Sequence, residues 1–269
     1  MLRLIKLEWS KFKKNTTLTL LFIFFCVFFP ATLFFGSILP TGLPNFLPSK
    51  DSFFSFPGIW EYLGYAGNWI VFFFLGVIVI YTFTIEVSNK TLRQSIINGL
   101  TRQEVFISKL INVVLLSAFA TLYYTLLSFI IGLINTEDFS LGIAFSNEMA
   151  IPRFFLMSFS YMTFALFLAF VFRKAGIAVF FYISYVIIIE PLIRMVAKEK
   201  IYSGAYINYF PMNATEDLMP LLGAKTTNSF PTNMDFAFLL TFKEAAIFTI
   251  IYTLIFLFIS YSLFIKKDI

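Results

Sequence analysis

The sequence predicts an all-α integral membrane protein with six transmembrane helices, and three observations predict it. Of its 269 residues 59% are hydrophobic and 13% are charged, against roughly 25% charged in a typical soluble domain. Six apolar runs reach about the 20 residues that a helix needs to cross the hydrocarbon core of a bilayer. Basic residues gather in alternate gaps between those runs, as they do when one face of a membrane collects Lys and Arg.

The elements follow in order. Residues 1–15, "MLRLIKLEWSKFKKN", place Leu2, Ile5, Trp9 and Phe12 at helical spacing, with Arg3, Lys6, Lys13 and Lys14 on the other side. This predicts an amphipathic interfacial helix with Trp9 at headgroup depth. The remainder, 16–269, forms one transmembrane domain, with spans expected at 16–39, 65–86, 108–134, 153–172, 175–197 and 243–265. The first run, about 24 residues long, exceeds the apolar region of a signal peptide, so it is expected to remain as a span. Residues 40–64, with four prolines, read as an interfacial loop. Residues 198–242 form the longest outer segment, in which "NATEDLMPLL" can make a short helix capped by Asn213 or Thr215.

Six spans put both termini on one side. That side holds 13 of the 20 basic residues, including Lys11, Lys90, Arg93, Arg102, Lys109, Arg173 and Lys174, and only Glu8, Glu86, Glu104 and Asp268 among the acids. Both termini are therefore expected in the cytoplasm, with the chain multi-pass in the cell (inner) membrane. The +5 net charge is accounted for by this asymmetry and implies no nucleic acid.

Between spans two and three lies "EVSNKTLRQSIINGLTRQEVFISKL". Ser88 or Asn89 can cap a short helix, Leu92 and Ile96 share one face, and Gly99 is a natural left-handed stop. Thr101-Arg-Gln-Glu104 is a capping box that starts a new helix. The segment 88–104 thus reads as a short amphipathic helix and an elbow. From the residues alone, a plain interfacial turn is an equal reading.

This layout resembles an ABC type-2 exporter permease: a basic interfacial helix, six spans, and the punctuated segment of residues 86 to 109. The resemblance implies that the segment is a coupling helix docking on a separate P-loop ATPase present in two copies. It also implies that a second permease subunit, identical or not, completes the path. Glu86, Thr91, Leu92, Arg93, Gly99, Thr101 and Lys109 match the family's motif, and Ile96, Arg102 and Glu104 belong to the same joint. Arg93 and the Leu92/Ile96 face are the expected contacts, with the short Arg173-Lys174 turn as a second one.

The residues also exclude chemistry. Histidine is absent and Cys26 is the sole cysteine, so His-dependent triads, zinc sites of the HExxH type and CxxC pairs are ruled out. No catalytic or metal-binding residue is expected, and Cys26 is expected to be an apolar helix residue. No G-x-x-x-x-G-K-[ST] loop occurs, so the chain is expected to bind no cofactor and to leave ATP and Mg to its partner.

Ion-driven secondary transport is one alternative, and it predicts ionisable groups within the spans. The exception to otherwise bare spans is Glu190-Pro191 with Arg194 one turn on, about 24 Å from Lys174 across a roughly 30 Å core. Glu190, Pro191 and Arg194 are a candidate gate or path site. The rival reading is an i, i+4 pair that snorkels outward. A non-transporting scaffold is the other alternative, with the elbow as a docking site only. The many phenylalanines fit either a greasy conduit or simple packing, and nothing in the sequence picks a cargo.

Overall fold

A computed structural model describes residues 2–13, 15–38, 53–200, 208–220 and 240–266. Expectations for residues 40–52 and for most of 198–242 lie outside them. Among the described residues there are helices and no strands. In chain order they are α1 (Leu2–Lys13), α2 (Thr16–Ile38), α3 (Gly58–Ser88), α4 (Thr91–Ile97), α5 (Arg102–Asn135), α6 (Leu141–Ala144) and α7 (Ala150–Phe172). The fifth long helix, α8, runs from Ala175 through Lys200. A six-residue α9 (Pro211–Glu216) and the last long helix, α10 (Phe242–Lys266), complete the chain. Six of these (α2, α3, α5, α7, α8 and α10) are long and apolar enough to cross a membrane.

Two boundaries differ from the sequence reading. α3 begins at Gly58, seven residues before the expected start, because "GIWEYLG" is about two amphipathic turns that bury Ile59, Trp60 and Leu63. α5 starts at Arg102, where the capping box sets it, so the helix extends below the apolar run itself.

α7 is the hub of the bundle, packed against α3, α5, α8 and α10, with 72% of its central residues buried. Small residues let neighbours approach it. The backbone of Gly67 lies against the rings of Phe154 and Phe29, where a Cβ would meet carbon at 2.7–2.8 Å. By contrast the central parts of α2 and α8 are each 17% buried and that of α10 is 22% buried, so wide apolar faces of these three remain uncovered by the described residues.

Within apolar surroundings, each freed backbone group needs a partner, and the side chains supply them. Pro30 has no N–H to offer the Cys26 carbonyl, and the Tyr123 hydroxyl donates to that oxygen at 2.8 Å instead. α3 contains a π-helical stretch, Val71–Gly76, against which Tyr182 packs and donates to the Phe72 carbonyl at 3.2 Å. Gly76 is required there, because any Cβ would collide with the Tyr182 hydroxyl. A second π-helical stretch, Tyr185–Ile189, ends two residues before Pro191, whose ring cannot sit against the carbonyl four residues back in a regular α-helix.

The bundle has two distinct ends. α1, α4, the start of α5 and the end of α10 meet at one, here termed the base, through a Lys11–Glu86 ion pair and an Arg102–Ile265 hydrogen bond. α6 and α9 lie at the other, where the Trp60 indole N–H donates to the Ala144 carbonyl.

Candidate functional site

The base is built around the joint between α3 and α5. α3 ends at Ser88, and Lys90 adopts a left-handed conformation (φ 56°) that redirects the chain into α4. The expected cap at Ser88 or Asn89 is corrected by this: Lys90 occupies the N-cap position with no side-chain hydrogen bond. The Thr91 hydroxyl instead binds back to the Glu86 carbonyl at 3.3 Å.

α4 stops where Gly99 takes φ 96°. The Gly99 N–H donates to the Ile96 carbonyl at 3.0 Å and the Leu100 N–H to the Ser95 carbonyl at 3.1 Å, the paired bonds of a Schellman stop. Thr101 then starts α5 with both bonds of the capping box present. The Glu104 N–H donates to the Thr101 hydroxyl at 3.2 Å, and the Thr101 N–H donates to the Glu104 carboxylate at 2.8 Å. One residue on, the Arg102 guanidinium donates to the Ile265 carbonyl at 2.7 Å near the end of α10. A cation there also complements the negative end of the α10 dipole.

Of the α4 side chains, Leu92 is 2% exposed within the core and Ile96 packs partly buried against it. Of the expected Leu92/Ile96 contact face, Leu92 is taken up in holding α4 to its own bundle, whereas Ile96 is half-buried. What α4 turns outward is Arg93, Gln94 and Ile97, the last 74% exposed.

Beneath the joint lies a charge network that the sequence did not announce. The Lys109 ammonium, on α5, is fully enclosed and contacts Glu8 of α1 at 2.9 Å and Glu86 of α3 at 2.5 Å. Lys11, one turn along α1, reaches Glu86 at 3.0 Å and Glu8 at 3.6 Å, and the Ser108 hydroxyl donates to Glu8 at 3.2 Å. Two cations and two anions therefore cancel in a space from which water is largely excluded. Burial pushes the Glu8 carboxyl up, but Lys109 and Lys11 together hold it below its ordinary value. Glu86 and Lys109, 23 positions apart, are thus brought together, and Glu8 joins them from more than 75 positions away. The available signal was a lone acid on an otherwise basic amphipathic helix.

The second basal turn is tight. α7 ends at Arg173, also left-handed (φ 54°), and Lys174 is extended before α8 begins. Between this turn and α4 opens a cavity of about 190 Å³, lined by Phe83, Val87, Lys90, Leu92, Arg93, Arg173 and Phe264.

At the opposite end, Glu190 does not snorkel, which corrects that part of the i, i+4 expectation; Arg194 acts on it through charge and not through a direct ion pair. Glu190 is 2% exposed and accepts from the backbone N–H groups of Met212 (3.1 Å) and Asn213 (2.6 Å) at the start of α9. Arg194 instead donates to the Asn208 side chain at 3.0 Å, and Pro191 is exposed. The short outer helix starts at Pro211, ahead of the expected caps. Asn213 donates to Asp217, which also accepts from the Leu240 N–H at 3.0 Å. Glu216, beside Asp217, is pushed up to about 7 by burial and by that neighbouring acid. A second capping box, Thr241 with Glu244, opens α10 and was equally readable from the sequence.

Among the described residues no group of three or more acidic, Cys or His side chains is placed to hold a metal. Comparison with curated proteins finds no match. A family profile described as ABC-2 family transporter protein matches residues 4–189, from the first turn of α1 to the end of the second π-helical stretch. With six candidate spans and more than half its length matched, the chain belongs to the ABC-2 family of transporter membrane proteins.

Proposed function

We propose that the chain is the permease subunit of an ATP-driven ABC exporter, with α4 as its coupling helix and both termini in the cytoplasm. A separate P-loop ATPase, in two copies, binds ATP and Mg, and a second permease subunit completes the translocation path. The observation that carries this reading is the construction of α4. Leu92 roots it in the bundle, a Schellman stop and a capping box stiffen its exit, and Arg93, Gln94 and Ile97 are left facing out.

A seven-residue helix has little stability of its own. Held at both ends, it transmits displacement instead of absorbing it. A socket moving with nucleotide state would tilt α3 and α5 together, and differential contact with α4 in two ATPase states would bias two arrangements of the spans. The uncovered faces of α2, α8 and α10 supply apolar area for a second subunit and for lipid.

The test is a mild-detergent pull-down of the full chain, followed by cysteine cross-linking. With Cys26→Ala as background, Ile97→Cys is expected to cross-link to a stoichiometric P-loop ATPase, and Arg93→Ala with Ile97→Asp to lose it. Recovery of intact protein with no ATPase would refute the reading. In that case ion-driven transport gains weight only if Glu190→Gln also abolishes transport.

A further inference from the structure

The basal cavity has a character that coupling does not explain. Lys90, Arg93 and Arg173 surround it, its lining includes Phe83, Leu92 and Phe264, and among the described residues none that lines it is acidic. Glu86, four residues before Lys90, is already engaged by Lys109 and Lys11. Lys90 and Arg173 are also the two non-glycine residues with positive φ among the described residues, and both line this one cavity. Glycine or asparagine takes that conformation with less penalty. The chain instead places long cations at both corners.

We propose that this cavity seats the phosphate headgroup of an anionic phospholipid from the leaflet at the base, its acyl chains running along the bundle. Three observations select this occupant. The cations converge at the level where the spans end, since Lys90 follows α3 by two residues and Arg173 directly follows α7. Basic pockets between spans at that depth recognise anionic headgroups. The aromatic and aliphatic lining suits the glycerol and first methylenes, which a free inorganic anion would leave unused. At about 190 Å³ the space is smaller than the roughly 300–1,000 Å³ of drug-sized ligand sites, and it admits a headgroup and not a whole lipid. The site shares Arg93 with the outward face of α4, whose other residues, Gln94 and Ile97, do not line it.

Native mass spectrometry of the detergent-purified full chain, titrated with phosphatidylglycerol or phosphatidylcholine, tests the proposal. Wild type is expected to retain phosphatidylglycerol preferentially. That preference should fall about fivefold in Lys90→Asn and on the order of thirtyfold in Lys90→Asn/Arg173→Asn, at about fivefold per basic residue. Asparagine removes the charge and keeps the left-handed backbone. Lys13→Gln, an exposed charge on α1, should change the preference less than twofold. Should the double variant not survive purification, Lys90→Asn alone decides.

Equal retention of the two lipids by wild type would overturn the proposal, as would a preference unmoved by Lys90→Asn. An equal drop in Lys13→Gln would mean bulk surface charge. Competition by millimolar inorganic phosphate would mean a free-anion site, and displacement by a stoichiometric ATPase would assign the cavity to that protein.

Discussion

Lys109→Met removes one charge from the centre of the basal network and keeps the length of the side chain. In the wild type its ammonium lies 2.9 Å from Glu8 and 2.5 Å from Glu86, whose side chains are 5% and 8% exposed. Each such contact has a Coulomb energy of about 6 kcal/mol at an effective dielectric of 20, offset by several kcal/mol of desolvation per ion. After the change two enclosed carboxylates face Lys11 alone, whose side chain is 31% exposed. Breaking a buried pair from one side costs about 3–5 kcal/mol, which is a large part of a typical 5–15 kcal/mol stability. At roughly 2–4 °C per kcal/mol, the midpoint of thermal unfolding in detergent should fall by on the order of 10 °C. The pH dependence gives a signature that simple cavity formation would not. In the wild type Glu8 is held below its ordinary 4.5, so its contribution is present above that value and is lost as pH falls through the lowered one. Without Lys109, burial is no longer outweighed, and the same carboxyl destabilises the fold as pH rises. The gap between variant and wild type should therefore be wider at pH 8 than at pH 5. Adding Glu8→Gln should recover most of the loss, because Glu86 and Lys11 then remain as one ion pair at 3.0 Å with no stranded charge. A midpoint within 2 °C of wild type, or a gap independent of pH, would refute the reasoning.

Gly99→Ala forces a side chain into φ 96° and should cost about 1–2 kcal/mol. It should lower the unfolding midpoint by a few degrees and weaken ATPase recovery in the same preparation. Glu216→Gln tests the outer cluster. Because its folded pKa, about 7, lies above the ordinary 4.5, the wild type should lose on the order of 2 kcal/mol as pH rises from 4.5 to 7, allowing for partial exposure. The variant should lack that slope in an unfolding series against pH. Tyr123→Phe leaves the Cys26 carbonyl below Pro30 without its donor and should destabilise by about 1–3 kcal/mol in thermal unfolding. No change there would mean that the carbonyl finds another partner.

What could be read from the sequence was local. Apolar length gave the spans, and Gly99 with the Thr101–Glu104 box gave the elbow, because each signal is complete within a few residues. The start of α3 at Gly58 escaped because glycine, tyrosine and tryptophan in "GIWEYLGYAG" suit an interfacial loop as well as a helix packed on α5 and α7. Helical spacing placed Leu92 and Ile96 on one face but could not say whether that face meets the bundle or a partner. The same limit hid Glu8 from Lys109 and Glu190 from the α9 amides, 101 and 22–23 positions apart. A charge in an apolar chain announces that it needs a partner. Only the packing of helices says which one.

The two ends of the bundle are fastened by different means, and that difference bears on how movement would spread. At the base, the ion network ties α1 to α3 and α5, Arg102 ties α5 to α10, and Leu92 ties α4 to the core. A force applied to α4 would be shared by all of these at once, since displacing one alone strands a buried charge or carbonyl. α8 stands outside this set. It joins α7 through the Arg173 turn, its middle is interrupted by the π-helical stretch at Tyr185–Ile189, and beyond this Glu190 is held by α9. With 17% of its central residues buried, it has the least packing to resist reorientation along with α2. α2 is anchored by the Tyr123–Cys26 bond and by stacked rings at Phe29–Phe154, and the inner half of α8 by the Tyr182–Phe72 bond, so a shift of the basal block would reach α8 through its turn and through Tyr182, on the inner side of the π-helical stretch. The interrupted helix, with its outer half fixed and its inner half set on a tight turn, is the element best built to bend.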